Sequence, residues 1–218
     1  MLISNKYGFL FVHIAKTGGT SIRTALTPLM RRDPARWLQS VCSRISGLTG
    51  HRLGVKFPRH AKVIAAREML PGDYFRGLFK FAFVRNPWDL QVSSYHHVQR
   101  ERPHLVRHLS GFEDFVHWKL EGERPYHYIV DASTEPQVYS LVDLKGHFLV
   151  DYIGYYERLS ENFREACDRI GLPGNIRLPH RRRAAKRTDY RTYYSDAAAE
   201  FVARHYAPDI EAFGYTFG

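Results

Sequence analysis

Cysteine is nearly absent from this chain: Cys42 and Cys167 are the two among 218 residues. Two are too few for a disulfide framework, which excludes a small cross-linked scaffold, and each is read as a buried free thiol. Long apolar runs are missing as well. No stretch approaches the ~18 residues of a membrane span, and Lys6 and Tyr7 interrupt the N-terminal segment Met1–Phe11, so a cytoplasmic, reducing setting is expected. There are no internal repeats and no low-complexity tracts. No helix-turn-helix, zinc-knuckle or RNA-recognition signature is visible, so specific nucleic-acid binding is not expected. Acidic charge is scarce beside basic charge: 22 Asp and Glu face 32 Lys and Arg, a net +10 with 12 His in addition. That surplus points to an anionic partner, whether nucleic acid, membrane surface, nucleotide or acidic polysaccharide, and does not choose among them.

What is present fits one ordinary globular domain over residues 1–218. Hydrophobic residues make up 44% and charged residues 25%, enough to bury a core without the bias of a disordered chain. Short apolar runs alternate with helical patterns, which predicts an α/β fold with a mainly parallel central sheet. The strand candidates are Tyr7–His13, an extended piece at Gly54–Phe57, Phe79–Val84 and Phe148–Ile153. Ile22, Ala25, Leu26 and Leu29 share one face of a predicted helix, as do Val63, Ala66 and Leu70 in a second. Asn86 and Pro87 open a third, as cap and first-turn residue. Further helices are expected near Phe112–Leu120, through Phe163–Ile170 up to Gly171, and around Ala198–His205; Glu121–Ser133 reads as an exposed loop.

Two constellations carry chemistry. Between the first strand and first helix lies His13-Ile14-Ala15-Lys16-Thr17-Gly18-Gly19-Thr20-Ser21. A glycine turn at a helix N-terminus presents backbone N–H groups to an anion, and the helix dipole adds to the attraction. Lys16 supplies a compact positive charge, and Thr17, Thr20 and Ser21 supply hydroxyls. Locally, a plain tight turn capped by Ser21 fits the same residues. The lysine precedes the glycines and no Lys-Ser or Lys-Thr pair follows them, so this is not the G-x-x-x-x-G-K-[ST] loop of nucleotide hydrolases. The second constellation, Phe83-Val84-Arg85-Asn86-Pro87-Trp88-Asp89 with Ser93, puts an arginine at a strand end and a hydroxyl on the following helix.

Together these resemble the sulfotransferases that use 3′-phosphoadenosine 5′-phosphosulfate (PAPS), most of all the carbohydrate branch with heparan sulfate 2-O-sulfotransferase and its bacterial relatives. Asp151-Tyr152-Ile153-Gly154 and the Asp209–Tyr215 ending also fit. The resemblance implies a three-layer, P-loop-like fold and a PAPS donor without a metal. It implies that Lys16, Thr17, Gly18, Gly19, Thr20 and Ser21 hold the phosphosulfate, that Arg85 and Ser93 hold the 3′-phosphate, and that His60 is the catalytic base. Lys16 would also neutralise charge on the departing phosphate. The basic segment Arg177–Arg191, with Arg182, Arg183 and Lys186, would close over the nucleotide. The expected acceptor is a carbohydrate hydroxyl, with an anionic glycan favoured by the charge. Leu90 stands where many relatives carry a second arginine, and Tyr155-Tyr156-Glu157 where Arg-Phe-Glu is common.

Other assignments compete. Glu68 and His13 are the next candidates for the base, while His96 and His97 are placed on a helix surface or by the acceptor groove. Tyr126, Tyr128, Tyr193 and Tyr194 are placed in packing or in stacking on a sugar or adenine. The rival function is a P-loop-type kinase, in which Asp151 after Phe148-Leu149-Val150 would hold Mg²⁺.

Overall fold

Alternation within two phenylalanine-rich strands sets the layers. The computed structural model describes residues 1–30, 41–42, 45, 57–121, 123–179 and 188–218. Its sheet runs β1 (Leu2–Ser4), β2 (Phe9–Val12), β3 (Phe79–Val84) and β4 (Tyr152–Tyr155), in that spatial order. β2, β3 and β4 are parallel, with Phe11 beside Phe81 and Phe83 beside Gly154; β1 is antiparallel to β2. Successive side chains point to opposite faces. Phe9, Phe11, Phe81 and Phe83 therefore meet Ile22 and Leu26 of helix α1 (Gly19–Met30) and Phe163 and Ala166 of a helix near the C-terminal third. Leu10, Val12, Ala82 and Val84 meet Val63 and Ala66 of α2 (Val63–Met69) and Phe75 of α3 (Gly72–Gly77). Both faces are covered, as a parallel sheet requires.

Beyond the C-terminal end of β3, α4 (Pro87–Glu101), α5 (Phe112–Leu120) and a short turn of helix, α6 (Tyr128–Asp131), pack with α8 (Asp196–His205) and α9 (Ala207–Phe213); α7 is Leu159–Ile170. Trp88, Phe115, Val202 and the fully buried Tyr206 form this third core cluster. The Asn86 side chain accepts from the Trp88 and Asp89 amides, as its cap position predicts.

The expected α/β, three-layer architecture is the observed one, with local corrections. The Phe148–Ile153 strand is shifted to Tyr152–Tyr155. Phe148 instead makes an isolated antiparallel bridge with Val142 and packs on Phe213, and Asp151 turns back to accept from the Lys80 amide at 2.7 Å. β1 carries too few residues to have been read as a strand. Within Glu121–Ser133, expected as an exposed loop, Tyr128–Asp131 form α6, and Val130 and Ser133 are buried. Cys167 is buried as expected, whereas Cys42 is half-buried. Residues 54–56 of the extended piece lie outside the described residues.

Candidate active site

The loop leaving β2 is shaped by three backbone peculiarities. Lys16 adopts a left-handed conformation with φ +67°, rare for a residue with a Cβ, and Gly18 follows at φ +81°. Gly19 is required for space: a Cβ there would lie 2.0 Å from Cδ2 of His13. The Thr17 hydroxyl, fully buried, donates to the Ile14 carbonyl at 3.0 Å and ties the loop to itself. Ser21 is the third residue of α1 rather than its cap, and its amide donates to the Gly18 carbonyl at 2.9 Å. The loop thus ends in the first turn of a twelve-residue helix, where backbone N–H groups gather.

Arg85 braces this loop from β3. Its Nη1 donates to the Lys16 carbonyl at 2.9 Å and its Nε to Asp89 Oδ2 at 2.9 Å. The Tyr156 ring lies under the guanidinium, 4.1 Å from its centroid. Burial pulls the Arg85 pKa down to about 10, against the raising effect of Tyr156, Glu157 and Tyr215, so the group stays cationic at neutral pH. The backbone of Arg85 is held in turn by Gln137, whose Oε1 accepts from the Arg85 amide at 2.9 Å and whose Nε2 donates to the Arg85 carbonyl at 2.8 Å. Fully buried Asp209 accepts from the Gln137 and Val138 amides, which explains an acidic residue in that position of the C-terminal segment.

His60 comes to the other side of the loop. Its Nδ1 lies 2.8 Å from the His13 carbonyl. A carbonyl only accepts, so Nδ1 carries the proton and, in the neutral ring, Nε2 carries the lone pair. The His60 ring lies 4.6 Å from that of His13 and 5.8 Å from that of Tyr128. Burial first, then the positive charge of Arg59 and its neighbours, lowers the His60 pKa; the bond to His13 opposes this. Buried His13 is driven down to about 2 by burial and by His60, and its Nδ1 has no hydrogen-bond partner among the described residues. A cleft of about 420 Å³ opens here, lined by His13, Ile14, Ala15, His60, Tyr128 and Ser133 among others.

A profile described as the sulfotransferase family matches residues 1–216. The chain belongs to that family. A crystal structure of a sulfotransferase from Alicyclobacillus acidocaldarius superposes on 97% of this family member and 94% of its own chain, with a TM-score of 0.50 and 16% identity, a likeness of fold. An uncharacterized protein of Archaeoglobus fulgidus is 34% identical over 110 residues, which is 50% of this chain and 82% of that one.

Within this sulfotransferase fold the residues singled out from sequence fall as follows. Lys16, Thr17, Gly18, Gly19, Thr20 and Ser21 form the loop and first turn of α1; Arg85 touches that loop directly, and His60 flanks it through His13. Ser93 is half-buried on α4, two turns after Arg85. Arg182, Arg183 and Lys186 lie outside the described residues. Glu68 is exposed and pairs with Arg67, away from the cleft lining. His96 is exposed on α4 beside Tyr193, and Tyr194 donates to the Trp88 carbonyl within the helical cluster. Sequence reasoning passed over Gln137, Asp89 as the partner of Arg85, and Tyr156 as its aromatic floor. The spacing of Asp89 four residues after Arg85 on a helix start was the one available signal.

Asp151 lies just before β4, at the end of the sheet opposite the Lys16 loop, and pairs with Lys80 Nζ at 2.8 Å. No group of three or more metal-ligating side chains is found among the described residues, nor is any helix there long and apolar enough to cross a membrane.

Proposed function

We propose that the chain transfers a sulfuryl group from PAPS to a hydroxyl of a carbohydrate, with His60 as base and Lys16 as the positive charge beside the leaving phosphate. The observation that carries this reading is the His60–His13 contact, which presents an unprotonated Nε2 next to an anion-shaped loop. The loop suits a phosphosulfate: Gly19 leaves no room for a Cβ, Gly18 takes a positive φ, and the helix terminus and lysine favour an anion. Lys16 and residues 17–21 would hold that group, and Arg85 with Ser93 would hold the 3′-phosphate.

PAPS, when bound, supplies the sulfuryl group and departs as adenosine 3′,5′-bisphosphate. His60 takes the proton of the acceptor hydroxyl on Nε2 while Nδ1–H stays on the His13 carbonyl, so the ring does not have to turn over. Lys16 stabilises negative charge as it grows, the usual source of catalysis in group transfer of this kind. Arg85 keeps the strained Lys16 peptide in place.

Asp151 argues against the kinase alternative, since its carboxylate is paired with Lys80 at the far end of the sheet. Calorimetric titration without Mg²⁺ separates the two. Adenosine 3′,5′-bisphosphate is expected to bind more tightly than ADP or ATP, with the preference reduced in Arg85→Ala. Tighter ATP binding that depends on Mg²⁺ would refute the assignment.

A further inference from the structure

The cleft beside the loop differs in character from the rest of this basic molecule. Tyr126 and Tyr128 line it and are 76% and 54% exposed, with the Tyr128 ring next to that of His60. Exposed tyrosine faces at a concave site are suited to the C–H face of a sugar ring, and the phenol hydroxyls to its polar edge.

Charge is the second observation. The chain carries +10, yet the charged side chains in the described lining are Lys62, Asp131 and Glu135. Lys62 is ion-paired with Glu135 across the cleft wall. Asp131 is held by Arg124, whose Nη2 donates to Oδ1 at 2.6 Å. Behind Ser133 lies Lys119, 2% exposed, with Nζ donating to Gln91 Oε1 at 2.7 Å, the Ser133 carbonyl at 2.9 Å and Ser133 Oγ at 3.0 Å. Its donors are taken and it is out of reach. Burial keeps His13 and His60 in the neutral form. A polyuronate entering this cleft would find Lys62, the one lysine or arginine in its described lining, already paired with Glu135, and Arg124 behind it already paired with Asp131, so its carboxylates would lose water without gaining a cation there, an arrangement that disfavours it.

We infer that the acceptor is an uncharged sugar, stacked on Tyr128, and not an acidic glycan. This rests on the sulfotransferase reading and names the substrate class of the same site. The acceptor oxygen forms its bond to sulfur as the bond from sulfur to the 5′-phosphate breaks; the hydroxyl proton passes to His60 Nε2, and the phosphate leaves with the electron pair.

The test is calorimetry on the full chain saturated with adenosine 3′,5′-bisphosphate, using cellotetraose and a tetrasaccharide of equal length with alternating glucuronate. Cellotetraose is expected to bind at least about tenfold more tightly, with an affinity that changes less than about twofold between about 50 and 500 mM NaCl, as a neutral ligand requires. Tyr128→Ala, at an exposed position, is expected to weaken cellotetraose about tenfold, the loss of one aromatic platform and its buried area, with nucleotide affinity unchanged. A tighter, salt-weakened uronate, an unaffected Tyr128→Ala, or no binding of cellotetraose overturns the inference alone. No binding of the bisphosphate overturns the sulfotransferase reading, and this inference with it.

Discussion

Around Lys16 the polar groups are buried and each is fixed by the protein's own backbone or by a paired side chain: Thr17 on Ile14, Arg85 on Lys16 and Asp89, Gln137 on Arg85. A few ångströms away the cleft is walled by exposed side chains, two tyrosines and the Lys62–Glu135 pair. The difference is one of division of labour. The proposed donor end depends on backbone shape, which tolerates little change, and the proposed acceptor end on side chains that can be exchanged without disturbing the fold. Substitutions at the two ends should therefore separate cleanly, with losses of chemistry and stability at one and losses of acceptor binding at the other.

The largest effect is expected where the ends meet. His60→Ala should lower kcat/KM by about 10²–10⁴-fold, the usual contribution of a general base, with unchanged affinity for adenosine 3′,5′-bisphosphate. Because burial favours its neutral form, the acid limb of kcat/KM should lie below the ordinary histidine value near 6.5. A limb above that value, or a His60→Ala enzyme with full activity, would remove His60 from the role.

Next comes the brace. Arg85→Ala takes the guanidinium away from the buried Asp89 carboxylate and breaks its bond to the Lys16 carbonyl, so denaturant unfolding should show a loss of about 3–5 kcal/mol. Arg85→Ala with Asp89→Ala should recover part of it. Equal stability of the single and double variants would mean that the ion pair is not what holds the loop, and the contrast between the ends would weaken.

How far this contrast could be read from residues alone follows from the same physics. The glycine turn and the Arg-Asn-Pro helix entrance are local features and stand where sequence placed them, while the first helix begins at Gly19, inside the segment read as its preceding loop. So do β3 and α7, whose periodicities are strong. The strand after Phe148 was misplaced by several residues because an apolar run does not reveal which of its members pair. Gln137 carries no sequence signal, and Asp209 stands in the ending that fits the resemblance without any sign of its role, for the links from Asp209 to Gln137 and from Gln137 to Arg85 are made between segments 52 residues apart or more. The cleft was only partly legible for another reason: from sequence its tyrosines fit packing as well as stacking on a sugar, and its paired charges read as ordinary surface, until topology brings α6 beside His60.

A graded effect, small within any one pH unit, concerns acid stability. His13 is held at about 2 in the fold and returns to about 6.5 when unfolded. Between these values the unfolded chain binds the extra proton, so stability is complete above about pH 6.5 and falls as pH drops, by about 1.4 kcal/mol per unit at first order. His13→Asn should flatten that slope in pH-dependent unfolding; an unaltered slope would assign acid lability to other groups.

The smallest effect belongs to the cleft wall. Lys62 and Glu135 form their ion pair with side chains 42% and 51% exposed, where solvent screening and the entropy of two long side chains cancel most of the Coulomb attraction. Lys62→Ala should therefore shift unfolding by less than about 1 kcal/mol and leave affinity for adenosine 3′,5′-bisphosphate unchanged. The same substitution leaves Glu135 without its cation, so any residual binding of a uronate should fall while a neutral sugar is held as before. If Lys62→Ala instead costs as much as Arg85→Ala, the wall is as structural as the loop, and the two ends of the site are not built on different principles.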